Sequence, residues 1–138
     1  MKSETTNNFN IYQQKYYRRK ERFEQILSET NTKPTIFFRL QEEPNRIIYP
    51  EYKDKFDKKE YVYIEEFSQH INLINQKLKF MIIYLTKTEN EHYDSINKIL
   101  YLNIKKYSLD DWNVSHHIIK NIFLDKYEFV SNIINEFF

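Results

Sequence analysis

Several residue types that chemistry and folding lean on are missing from this chain. Its 138 residues contain no cysteine and no glycine, and a reading of the whole chain finds no alanine either. Without cysteine there is no disulfide, thiolate metal site or cysteine nucleophile, a pattern that fits a reducing compartment. Without glycine, phosphate-cradling loops, dinucleotide-binding turns and nucleophile elbows lack the residue whose missing Cβ lets them form. Left-handed turn positions then fall to Asn or Asp, and Asn31, Asn45, Asn90 and Asn97 are the candidates. Long apolar runs are absent too. No stretch approaches the ~20 residues of a membrane span, and Met1 to Asn10 is polar rather than signal-like. The expectation is a soluble protein of the cytoplasm, with no membrane partner.

Net charge of one sign is also lacking. Twenty-one basic residues balance twenty acidic ones, for a net charge of +1, so only local patches can steer toward an anionic partner. Aromatic residues, in contrast, are plentiful. Twelve Tyr and eleven Phe predict an aromatic core in a chain too hydrophobic to be disordered. Gly and Ala have GC-rich codons, whereas Lys, Asn, Ile, Tyr and Phe have AT-rich ones, so the composition fits a phage or mobile element of a low-GC bacterium.

The densest β signal lies in two runs, Phe80 to Thr86 and Lys98 to Lys105, separated by the polar stretch Lys87 to Asn97. Read as the two arms of a long hairpin, they place the first arm centrally, covered on both faces. In the second, Leu100, Leu102 and Ile104 alternate with Tyr101, Asn103 and Lys105, as expected nearer an edge. The intervening loop carries Glu89, Glu91, His92 and Asp94, and long ordered loops often bind something.

The remaining elements follow from spacing and breakers. Residues 1–8 read as a disordered tail. A helix over 9–29 has Phe9, Tyr12, Tyr16, Phe23 and Ile26 in a heptad-like stripe, interrupted by Arg19. After Pro34, Thr35 to Leu40 reads as a strand. A turn at Glu42 to Asn45, a short strand at Arg46 to Tyr49 and a charged loop from Glu51 to Glu60 come next. Tyr61-Val62-Tyr63 reads as a brief strand, and Ile64, Phe67, Ile71, Ile74 and Leu78 as the stripe of a helix over 64–77. Ser108 with Asp110 and Asp111 caps a helix to about Leu124, and Asp125 with Glu128 opens the last one. The fold expected is a single α+β domain over 34–138. It has a mostly antiparallel sheet of three to five strands around the 80–105 hairpin, packed on helices at 64–77, 109–124 and 126–138. The N-terminal helix is peripheral.

Motifs for catalysis are thin, and the reading is of a protein that is not an enzyme and has no cofactor. His70, His92, His116 and His117 form no H-x-x-x-H or H-x-H pair, and adjacent histidines on a helix diverge by about 100°. Glu51-Tyr52-Lys53 and Asp57-Lys58-Lys59 have nuclease-like E-x-K and D-x-K spacing, but on a loop. No serine has a supporting histidine and an oxyanion glycine. The strand Ile99 to Ile104 followed by helices resembles small zincin metallopeptidases, and Asn132 to Phe138 would be their metal helix. Of the H-E-x-x-H pattern only Glu136 matches, which removes the metal.

The most distinctive local signal is Lys15-Tyr16-Tyr17-Arg18-Arg19-Lys20-Glu21-Arg22. Here Arg18, Arg19, Lys20 and Arg22 can hold anions while Tyr16 or Tyr17 stacks. This basic segment, followed by Tyr93 to Lys105, resembles small type II anti-CRISPR proteins of phages over about a third of the chain. The resemblance implies inhibition of a nucleoprotein effector by binding. Lys15 to Arg22 is then one contact surface, and Glu89, Glu91 and Asp94 a second. Two other expectations stand beside it. One is a toxin-immunity protein that plugs a basic nuclease with acidic loops around Glu42, Glu65 and Asp94. The other is a nucleic-acid binder with steep salt dependence.

Overall fold

A computed structural model describes residues 4–28, 30–41, 59–107 and 112–138. The elements run α1 (Glu4–Leu27), β1 (Thr35–Leu40), α2 (Glu60–Ile74), β2 (Phe80–Thr86), β3 (His92–Asp94), β4 (Ile99–Asn103), α3 (Trp112–Asp125) and α4 (Tyr127–Phe137). The fold is α+β, built on one four-stranded sheet of order β1-β2-β4-β3.

The pairing differs from the long hairpin that the sequence suggested. β1 and β4 both pair with β2 in parallel, and only β3 runs antiparallel, against β4. After β2 the chain steps over one strand position, roughly 10 Å or two strand spacings, to lay down β3. It then turns through residues 95–98 and returns as β4 in the vacant slot. The sheet is therefore mostly parallel, and the stretch Lys87 to Asn97 is not a plain loop, since it holds the edge strand. β4 is central rather than near an edge. The physical reason is visible in burial: all seven residues of β2 and the first four of β4 are buried, as befits parallel strands covered on both faces.

Side-chain alternation sorts the core into two layers, one on each face. Phe80, Ile82 and Tyr84 of β2 join Ile99 and Tyr101 of β4 under Ile64 and Ile71 of α2, with Leu27 from the end of α1. On the other face, Met81, Ile83, Leu85, Leu100, Leu102 and Ile104 pack against Ile122 of α3 and Val130 of α4. Helices on both faces of one sheet complete the layered domain.

Local details correct further expectations. Tyr61-Val62-Tyr63 is the first turn of α2, because Tyr61 extends the stripe Ile64, Ser68, Ile71 backwards by three; packing along that stripe outweighs β-propensity. Asp125 closes α3 and accepts a hydrogen bond from the Tyr107 hydroxyl at 2.7 Å, while Lys126 occupies the N-cap of α4. The left-handed position among the described residues is Lys98, at φ 57°, one residue beyond Asn97. Its side chain offsets part of that cost by lying over the Phe80 ring, 4.5 Å from the centroid, and donating to Asn72 Oδ1 at 3.3 Å. α1 begins at Glu4, inside the stretch read as tail, and ends at Leu27. The turn at Glu42 to Asn45, the strand at Arg46 to Tyr49, the spacing motifs at Glu51 and Asp57 and the cap at Ser108 to Asp111 lie outside the described residues.

Candidate macromolecular contact surfaces

α1 has 24 residues and is about 36 Å long, yet among the described residues only its last turns meet the body. The Phe23 ring stacks on Phe67 at 6.2 Å and meets Phe37 edge-on at 6.4 Å, and Leu27 enters the core. The junction is clamped by Asn75, whose buried amide donates to the carbonyls of Ser28 at 2.6 Å and Asn31 at 3.1 Å. Asn75 Oδ1 in turn accepts from the Lys77 N–H at 3.0 Å. Above this junction every residue from Phe9 to Gln25 is exposed. Phe9 at 65%, Tyr12 at 70% and Tyr16 at 64% exposure are large rings left in solvent.

The predicted basic residues all lie on this exposed stretch. Lys15, Arg18, Arg19 and Arg22 recur at helical i, i+3, i+4, i+7 spacing and so share one stripe. It adjoins the stripe of Phe9, Tyr12 and Tyr16. Lys20 points elsewhere, 4.0 Å from Glu24 in an exposed i,i+4 pair of little energetic weight. Tyr17 packs edge-on against Tyr16, with centroids 5.8 Å apart. The cluster can therefore grip anions along one face and offer flat rings beside them.

The acidic residues of the second predicted surface have different partners. Asp94 holds the β3–β4 turn: Oδ1 accepts the backbone N–H groups of Ile96 and Asn97 at 3.0 and 3.1 Å, and Oδ2 accepts the Asn97 amide at 2.9 Å. Burial alone would raise its pKa, but these bonds and nearby His92 outweigh it and hold the carboxyl below its usual range. Glu91 is paired with Lys126 at the start of α4. Burial raises the pKa of Glu65 on α2, and the charges of Asp94 and then Glu89 add to it.

The face beneath α2 carries a row of residues that no sequence argument joined together. Strand register aligns Arg39 with Tyr84, Tyr84 with Tyr101 and Tyr101 with His92, so one polar and aromatic row crosses all four strands. Arg39 Nε donates to Glu60 Oε1 at 3.1 Å. The Tyr84 and Tyr101 rings meet edge-on at 5.7 Å, and the His92 imidazole lies flat on Tyr101 at 4.5 Å. Both tyrosines are shifted up. For Tyr84 burial dominates, followed by the Glu60 carboxylate, and for Tyr101 burial, followed by Glu65, Asp94 and Glu89. The Tyr84 hydroxyl is enclosed without a well-formed hydrogen bond, although Glu60 and Thr86 lie close enough to perturb it. Alternation in β4 was the available signal, but it was read as a strand nearer an edge, whereas Tyr101 is covered by α2 and His92.

Beyond the row, Gln41 ties the carboxyl ends of β1 and β2 together. Its Oε1 accepts from the Lys87 N–H at 2.7 Å and the Thr86 hydroxyl at 3.1 Å, and its Nε2 donates to Thr88 at 2.9 Å. Among the described residues no group of three or more His, Asp or Glu side chains is placed to hold a metal ion, and no helix is long and apolar enough to cross a membrane. No protein family, curated protein or solved structure matches the chain.

Proposed function

We propose that this is a macromolecule-binding protein that works without catalysis, with α1 as its binding arm. One observation carries the reading: a helix holding the sharpest basic cluster of a nearly neutral chain stands clear of the other described residues from Phe9 to Arg22, with aromatic rings in solvent. Exposed rings are a standing cost that docking removes, roughly 1.5–3 kcal/mol for each one fully buried. Interleaved tyrosine and arginine are the residues that dominate binding energy at interfaces. In its finer form the reading is an inhibitor of a host defence nuclease, encoded by a phage or mobile element, and its support there is the resemblance of Lys15 to Arg22 and Tyr93 to Lys105 to anti-CRISPR proteins.

The test uses tagged protein passed over lysate of a low-GC bacterium that carries CRISPR and other defence systems, with and without nuclease treatment. A stoichiometric protein partner that survives nuclease is expected from wild type. It should be lost when Arg18, Arg19, Lys20 and Arg22 are all changed to Ala, with thermal stability unchanged because those side chains are solvated. Capture by the quadruple variant at wild-type levels would remove α1 from the contact.

A second reading, toxin immunity, draws on the convergence of Glu65, Glu89 and Asp94 beside Tyr101. Under that reading Glu65→Lys with Glu89→Lys abolishes partner capture while the α1 variant retains it.

A further inference from the structure

The seam of α1 has a chemistry that selects its occupant, an inference that rests on α1 being the contact element. Phe9, Tyr12, Tyr16, Arg19, Phe23 and Ile26 follow one another at intervals of 3, 4, 3, 4 and 3, the a and d positions of a coiled-coil repeat. The lower end of that seam is satisfied by the body, where Phe23, Phe37 and Phe67 form one aromatic patch, and Leu27 beside it enters the core. The upper end, Phe9 to Arg19, continues the same stripe into solvent with nothing against it among the described residues.

Charges beside the seam are of one sign. In this register Lys15 and Arg22 fall at g, Lys20 at e, and Arg19 within the seam itself, whereas Glu21 and Glu24 fall at f and b on the outer face. A second copy of the chain is a poor occupant. A parallel copy sets Lys15 against Lys20 and Arg19 against Arg19, and an antiparallel copy sets Lys15 against Arg22. Like charges across a seam are the usual device by which coiled coils reject a partner. Nucleic acid would use the cations but leave Phe9 and Tyr12 without apolar contact.

We infer that the exposed seam of α1 docks an amphipathic helix of a partner protein, apolar at its own a and d positions and acidic on both flanks. One acidic side chain of that helix reaches Arg19. The body's Phe23–Phe37–Phe67 patch gives the incoming helix a fixed end against which to set its register.

Two labelled synthetic helices, identical but for Glu or Lys at every e and g position around Leu at a and d, test this by fluorescence anisotropy. A labelled 20-base-pair DNA duplex is titrated in parallel, and sedimentation reads self-association. The Glu-flanked helix is expected to bind roughly tenfold or more tighter than the Lys-flanked one. Tyr12→Ser with Tyr16→Ser should abolish the binding. Lys15→Glu, Arg19→Glu and Arg22→Glu together should reverse the preference. Unchanged thermal unfolding of these exposed-site variants separates a lost contact from a lost fold. Equal binding of both helices, binding of neither, or self-association through α1 overturns the inference. Binding of the duplex alone, lost in the charge-reversed variant, also overturns it while leaving α1 as the contact element.

Discussion

Two tyrosines at the centre of the sheet make the most direct residue-scale test. Tyr84 and Tyr101 both have pKa values raised above the ordinary 10.0, burial being the first cause in each. A raised folded-state pKa means that the folded chain holds the proton more tightly than the unfolded one. The associated stability is complete below about pH 10 and is lost as pH rises from there toward the folded values. Absorbance of tyrosinate should thus show Tyr84 and Tyr101 ionising only as the chain unfolds, and Tyr84→Phe should flatten the alkaline decline. Twelve tyrosines titrating together in folded protein would contradict this. Asp94 shows the opposite sign. Its lowered pKa means that its contribution is present above the ordinary 3.8 and is lost as pH falls through the folded value. Asp94→Ala removes three hydrogen bonds from the β3–β4 turn and should cost about 1–2 kcal/mol in urea unfolding at neutral pH, with the difference vanishing on acidification. A pH-independent difference would assign the loss to packing instead.

Among the elements, what was legible in the sequence depended on whether local chemistry or distant pairing decided the outcome. β1 after Pro34, the stripe of α2 and the two C-terminal helices followed from spacing and breakers, and the burial of β2 on both faces followed from its unbroken apolar run. Partner choice did not follow. β2 and β4 read as arms of a hairpin because the residues between them are polar, yet His92-Tyr93-Asp94 is enough for an edge strand, and three residues are too few to show a period. Their insertion of β4 between β2 and β3 is a long-range outcome with no local signature. Lys98 was likewise invisible. Only the approach of its side chain to Phe80 and Asn72 explains why lysine, rather than asparagine, takes the left-handed position. At the candidate site the split is the same. The basic stripe of α1 lay in plain view, whereas the row Arg39, Tyr84, Tyr101, His92 exists only through strand register.

Taken as a whole, the described residues form one sheet with a core layer on each face and an arm held by a small aromatic and amide junction. Ile82 and Ile83 are neighbours in sequence on opposite faces, each 2% exposed. Both should behave as parts of one cooperative unit, so Ile82→Ala and Ile83→Ala should each cost about 2–5 kcal/mol and each give a single unfolding transition. Loss of one helical layer before the other in circular dichroism would divide the molecule into two units. The arm lies outside that unit from Phe9 to Arg22, which leaves its surface open to change without disturbing the core. The measurement that tests the central claim most directly is site-specific photocrosslinking in lysate. One reactive group replaces Tyr16 on the arm, and a control replaces Leu73, which is 79% exposed on α2. Crosslinking of one discrete partner from position 16 and not from 73 is the predicted result. A partner captured from 73 with none at 16 would contradict the account.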